Sequence, residues 1–293
     1  MPMRWNFAVV AAIVCTCSLA ATPLDDAIKV KVAGFHGRVN VYAKNLDSGA
    51  VYDLAGEEPV RTASTIKLPI MIECFSETAE GKLDFGEMIR LPEDEKVSGS
   101  GILQDLSTDD RFPVRDLMML MIVLSDNTAT NLILDRIGGD AVNARMAKLG
   151  LVHTRVMRKI LGKGTAAGIT AEGAKPENKK WGLGRSSPRE MVGLLEKLHR
   201  GELVSKDASV EMLAILKKQR DHNGLARDIK DVTVANKSGA LDALRSDVGI
   251  VYSKRGPVAI AITVDGIPEP DWSPDNPGLL LISTLSELLI ERL

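Results

Sequence analysis

Two residues in the stretch Ala63-Ser64-Thr65-Ile66-Lys67-Leu68-Pro69-Ile70 have the types and spacing to do chemistry. Ser64 and Lys67 are three positions apart, so on a helix they share a face, one turn from each other. A serine hydroxyl alone is a weak nucleophile. It needs an adjacent base to take its proton and fixed donors where negative charge develops. An amine one turn away can be that base, and a helix N-terminus favours the negative charge. Ser-x-x-Lys pairs occur by chance on many helices, so the rest of the chain must supply the remaining parts of a site.

Two other stretches qualify. Ser125-Asp126-Asn127 follows the run 114–124, apolar almost all round, which marks a helix in the protein interior, and precedes a second helical pattern from Thr128. Lys237-Ser238-Gly239 ends a strand-like segment just before a turn. These interruptions need elements to position them. Residues 23–34 read as a helix stopped at Gly34, 37–46 and 50–54 as strands joined by Asp47-Ser48-Gly49, and a helix carries Ser64, with Pro69 tolerated near its first turn. Residues 81–89 form a connector, and 95–106 a glycine- and serine-rich stretch leading into a short helix. Helices over 128–137 and 140–149 stop at Gly138-Gly139 and Gly150. Residues 162–185, with six glycines and several lysines, read as a surface loop. Ser187-Pro188-Arg189-Glu190 starts a helix, with serine at the cap, proline at the first position and glutamate at the third. Another helix spans 205–218. Strands follow at 232–235, 247–252 and 258–264, and an amphipathic helix closes the chain from 277.

Strands at both ends, joined by short turns, imply an antiparallel sheet. The expected fold class is α/β (α+β): about five strands built from both chain ends and covered by helices, with an all-helical lobe inserted. The sheet lobe takes residues 22–63 and 219–293, the helical lobe 64–218, and a cleft between them is where a ligand site forms.

Composition narrows the function. A net charge of −2 gives no sign of a nucleic-acid partner. The four histidines are scattered, without a zinc-hydrolase spacing, so neither metal nor cofactor is expected. Residues 1–21 combine a short basic start, an uncharged apolar run and small residues, the pattern of a signal peptide for a secreted or periplasmic protein; a retained anchor or lipidation at Cys15 or Cys17 are the alternatives. Without that leader only Cys74 remains, a buried core thiol that leaves no disulfide to form. A monomer without a stable membrane partner is expected.

Ser-x-x-Lys, Ser-Asp-Asn and a Lys-Ser/Thr-Gly triplet in this order are the signature of class A β-lactamases and penicillin-binding proteins. The chain resembles that superfamily, class A most closely, over about residues 24–292. The match includes Ser100-Gly101-Ile102-Leu103, the run from Leu124 to Leu132, Ser187-Pro188 and Arg245-Ser246-Asp247. The resemblance implies the same two-lobed fold and a set of roles. Ser64 would attack the carbonyl of a β-lactam or an acyl-D-Ala-D-Ala peptide, and Lys67 would take its proton. Ser125 would relay a proton to the leaving nitrogen, Asn127 would meet the substrate's amide, and Lys237, with Ser238, Gly239 and Arg245, would hold the substrate carboxylate. The backbone N–H groups of Ser64 and Ala240 would form the oxyanion hole. Asp126 would hold backbone groups in its turn, and Asn131 would be helix structure.

One part does not match. Class A enzymes use a glutamate shortly after a Thr-Arg-x-x-Arg-like stretch to activate the deacylating water. Here the stretch is Thr154-Arg155-Val156-Met157-Arg158-Lys159, and Ile160 stands where the glutamate belongs. Glu172 or Glu177 could substitute from a rearranged loop. The sequence therefore implies a secreted serine β-lactamase with ready acylation and slow deacylation. The alternatives are a D-Ala-D-Ala carboxypeptidase acting on cell-wall peptides, or a β-lactam sensor that stays acylated.

Overall fold

The computed structural model describes residues 23–160 and 168–293; the expected leader lies outside them. Ten strands occur among the described residues: β1 (Arg38–Asn45), β2 (Val51–Leu54), β3 (Val60–Arg61), β4 (Met88–Arg90), β5 (Arg111–Pro113), β6 (Arg155–Val156), β7 (Gly184–Ser186), β8 (Thr233–Leu241), β9 (Leu244–Ser253) and β10 (Gly256–Asp265). The helices are α1 (Pro23–Ala33), α2 (Lys67–Ala79), α3 (Val114–Val123), α4 (Asn127–Ile137), α5 (Gly139–Lys148), α6 (Pro188–His199), α7 (Lys206–Leu216) and α8 (Pro277–Arg292). The main sheet is antiparallel with strand order β2-β1-β10-β9-β8, built from both ends of the chain as the sequence implied.

Alternation along β10 explains how the sheet holds its helices. Val258, Ile260, Ile262 and Val264 pack with Leu24, Ile28, Ile282 and Leu285 of α1 and α8. Ala259 and Ala261 face the other way, into the core shared with α2 to α7. Successive side chains of a strand point to opposite faces, so one ten-residue strand serves two cores. The small alanines let the helical layer lie close.

Two local expectations need correction. The segment 162–185 is not simply a surface loop. Within its described part, residues 176–181 form a 3-10 turn with Asn178 buried, and β7 joins β3 and β6 in a three-stranded sheet. Nor does the Lys237-Ser238-Gly239 triplet end its strand. β8 runs on through Ala240 to Leu241, paired with Leu244 across a two-residue hairpin. The caps of α6 and α7 behave as their sequences require, Ser187 accepting from the N–H of Glu190 and Ser205 from that of Ala208.

Candidate active site

Ser64 sits half-buried in a 3-10 turn over Ala63–Ile66 that leads directly into α2, and Lys67 is the first residue of that helix. Ser125 occupies the break between α3 and α4. Both segments carry a non-glycine residue in the left-handed region, Ala63 at φ 46° and Ser125 at φ 54°. Each costs on the order of 1–3 kcal/mol and persists only where the surroundings hold it. At Ser125 the hold is visible. Asp126, 1% exposed, caps α4 by accepting from the N–H of Ala129 at 2.8 Å and also accepts from Ile102 and Leu103 at 2.7 and 2.9 Å. It thereby ties the wall 98–103 to the start of α4.

Three polar side chains converge there. Lys67 Nζ donates to Ser125 O at 2.8 Å, Ser125 Oγ at 3.2 Å and Asn127 Oδ1 at 3.1 Å. Lys237 Nζ reaches the same Ser125 Oγ at 3.1 Å from the other side and donates to its neighbour's carbonyl, Ser238 O, at 2.7 Å. Both lysines are fully buried. Burial disfavours the ammonium, and the charge of Lys237 adds to the effect on Lys67, whose pKa lies well below the ordinary lysine value despite the opposing charge of Asp126. Burial lowers Lys237 to about 8, against the pull of Asp247 and Asp221. The pair therefore divides into an amine that gives up its proton readily and an ammonium that survives near neutral pH.

Gly239 explains how the edge strand meets the serine. A Cβ at this position would stand 2.8 Å from Thr62 O, 3.0 Å from the Ser64 nitrogen and 3.1 Å from the Thr65 nitrogen. Only glycine lets β8 lie against the serine turn, and the next residue, Ala240, follows on that edge. From below, β7 closes on the same turn: Thr62 N–H donates to Gly184 O at 3.1 Å, and Gly184 is also too close to Ile66 and Thr62 for any side chain.

Of the other sequence candidates, Arg245 stands opposite Ala240 on β9, and Glu172 and Glu177 lie before β7. Arg245, 2% exposed, donates to the carbonyls of Leu241, Leu244 and Asp271 and stacks on Trp272, 4.8 Å from the ring centroid. Glu172 accepts from Lys175 and Asn178, both at 2.7 Å, and the Lys175 bond holds its carboxyl below the usual range. Glu177 is exposed. Ile160 is tied through its backbone to the helix that carries Asn127. Asn131 bonds both its N–H and its carbonyl, and lies one helical turn along α4 from Asn127. In sequence Asn131 reads as helix structure only, and its spacing of four from Asn127 is the available signal of this second task. Among the described residues no cluster of His, Cys, Asp or Glu could hold a metal ion, and no helix is long and apolar enough to cross a membrane.

The chain is similar to proteins of known type over nearly its whole length. The Aeromonas hydrophila β-lactamase AER-1 is 22% identical over 280 residues, covering 89% of this chain and 88% of its own. A solved β-lactamase from Sphaerobacter thermophilus superposes with a TM-score of 0.78 at 27% identity, covering 92% of this chain and 95% of that one. A mutant of PBP-A, solved as its acyl-enzyme complex with penicillin G, gives the same TM-score and coverages at 28% identity. Residues 23–293 match the pattern of the beta-lactamase enzyme family. With a motif order, a fold and a full-length match in agreement, the chain belongs to the beta-lactamase enzyme family and is a serine hydrolase of β-lactamase type.

Proposed function

We propose that Ser64 opens the β-lactam ring through an acyl-enzyme that is released slowly. The observation that carries the reading is the convergence of two buried lysines on one hydroxyl, Ser125 Oγ, beside the Ser64 turn. With Lys67 as the neutral amine, its two N–H groups serve Ser125 O and Asn127 Oδ1, and its lone pair takes a proton. Ser64 gives that proton to Lys67 and attacks the carbonyl carbon. The N–H groups of Ser64 and Ala240 stabilise the oxyanion, each donor being worth roughly 3–4 kcal/mol. As the ring C–N bond breaks, Ser125 Oγ donates a proton to the nitrogen and is resupplied from Lys67. Lys237, with Ser238, holds the substrate carboxylate; the three carbonyls and the indole around Arg245 leave that residue a structural role at the end of the sheet.

Slow release follows from Ile160. The Ile160 side chain is an alkyl group that cannot activate water, and Glu172 is engaged elsewhere. That same feature, and the likeness to PBP-A, support a second reading, a D-Ala-D-Ala carboxypeptidase acting on cell-wall peptides. A non-turnover sensor is the third. Intact mass and ring opening, followed together with penicillin G, separate them. An adduct that forms quickly and decays over many turnovers supports the hydrolase. A persistent adduct with D-alanine release from an acyl-D-Ala-D-Ala peptide supports the peptidase, and the adduct alone supports the sensor. The absence of any adduct, or one that survives Ser64→Ala, defeats all three. Export after loss of residues 1–21 belongs to the same proposal and is read by N-terminal sequencing of the mature protein; its expected monomeric state is read by light scattering.

A further inference from the structure

The segment bearing Ile160 is fixed by more than Asn131. Lys159, 9% exposed, lies between two carboxylates, Glu95 Oε2 at 2.9 Å and Asp135 Oδ2 at 2.5 Å. Asp135 belongs to α4, as do Asn127 and Asn131, and the three are spaced by four, which puts them on one stripe of the helix. The first bonds Lys67, the second the backbone of Ile160, the third the ammonium of Lys159. Glu95 belongs to the opposite wall: two residues on, the N–H of Val97 donates to Thr128, and Ser98 O accepts from Asn127. One ammonium therefore joins the Ile160 segment, α4 and the 95–103 wall.

We propose that Lys159 is a positioning residue that clamps Ile160 between α4 and the 95–103 wall and thereby keeps water from the Ser64 ester. This rests on the reading that Ser64 forms a slowly released ester. Deacylation needs a water to add to the ester carbon, the C–Oγ bond to break, Ser64 to recover a proton and the free acid to leave. With no carboxylate base at the site, access of water is the step that the clamp controls. Acylation uses groups on α2, β8 and the Ser125 break, which Lys159 does not touch. The ammonium ties the segment to both elements, so its loss loosens the segment locally.

The test uses full-length protein and penicillin G, with adduct formation and decay read separately by intact mass. Lys159→Met is expected to acylate within about twofold of the native protein and to lose its adduct about tenfold faster, while Lys159→Arg, which keeps the charge, decays close to the native rate. If Lys159→Met does not fold, Glu95→Gln, which removes one of the two carboxylates at an accessible turn, is expected to speed decay about threefold. A general loosening would slow acylation and leave decay unchanged. Decay of the variant adducts at the native rate overturns the clamp and leaves the acyl-enzyme reading standing. No adduct on the native protein overturns both.

Discussion

Asn131 grips Ile160 with two hydrogen bonds, its Nδ2 donating to Ile160 O and its Oδ1 accepting from Ile160 N–H, both at 2.8 Å. Neither bond involves the Ile160 side chain, so the backbone will present any side chain from the same place. Ile160→Glu should therefore place a carboxylate where the family resemblance puts the deacylating glutamate, without remodelling the segment. We expect deacylation of the penicillin adduct to rise about 10²–10⁴-fold, the usual contribution of a general base, with acylation little changed. Steady-state hydrolysis and adduct decay measure it. Adding Asn131→Ala to the glutamate variant should cancel most of the gain; if it does not, the grip is irrelevant to placement.

The two lysines set a pH profile for acylation. In the proposed mechanism Lys67 works as the free amine, so the rate should rise with pH through its lowered pKa. In the same mechanism Lys237 works as the ammonium, so carboxylate binding should be present below about 8 and lost as pH rises through that value. The profile of kcat/KM for acylation should be bell-shaped with its alkaline limb near 8, the two values belonging to the coupled pair. Stopped-flow acylation across pH measures it. Lys237→Arg, charged throughout, should remove the alkaline limb, and a limb that persists there assigns it to another group.

How much of this was legible in the sequence depended on whether a residue's task is local. The three motifs were, because their spacing already places them at a helix start, a helix break and a strand. The five-strand sheet was, because hairpins read locally. The pairing of β6 with β7 was not. These strands are two and three residues long, and what holds β6 is remote: Asn143 bonds both backbone groups of Val156, and Glu190 accepts from His153 and Thr154. In sequence Glu190 reads as a helix-start residue. Lys159 is equally silent, one lysine in a basic stretch until Glu95 and Asp135, 64 and 24 residues away, are brought to it.

Gly239→Ala tests the contact between β8 and the serine turn. The new Cβ meets backbone atoms at 2.8–3.1 Å, which cannot turn aside as a side chain can. Relief requires β8 to move away from Ser64, and Ala240 moves with it. Overpacking of this kind costs about 1–3 kcal/mol of stability. Acylation should fall about 10²–10³-fold, as on loss of one oxyanion donor. Denaturant titration and acylation kinetics measure the two effects. A variant that acylates at the native rate would show that the Ala240 N–H takes no part.

Asp126→Ala tests what holds Ser125 in its left-handed conformation. The carboxylate satisfies three backbone N–H groups, those of Ala129, Ile102 and Leu103. Alanine removes the cap of α4 and strands the buried N–H of Leu103 and the partly buried N–H of Ile102. The cap is worth about 1 kcal/mol and each stranded donor about 1–3, so a net loss of about 2–4 kcal/mol is expected after partial relaxation. For a chain of this size that lowers the melting temperature by about 5–12 °C. Asp126→Asn keeps one acceptor oxygen and should lie between the two in calorimetry. Acylation should slow in both variants in the same order as stability falls, since Ser125 and Asn127 flank the lost group. A stability loss with native acylation would instead show that Lys67 and Lys237 alone hold Ser125 in place.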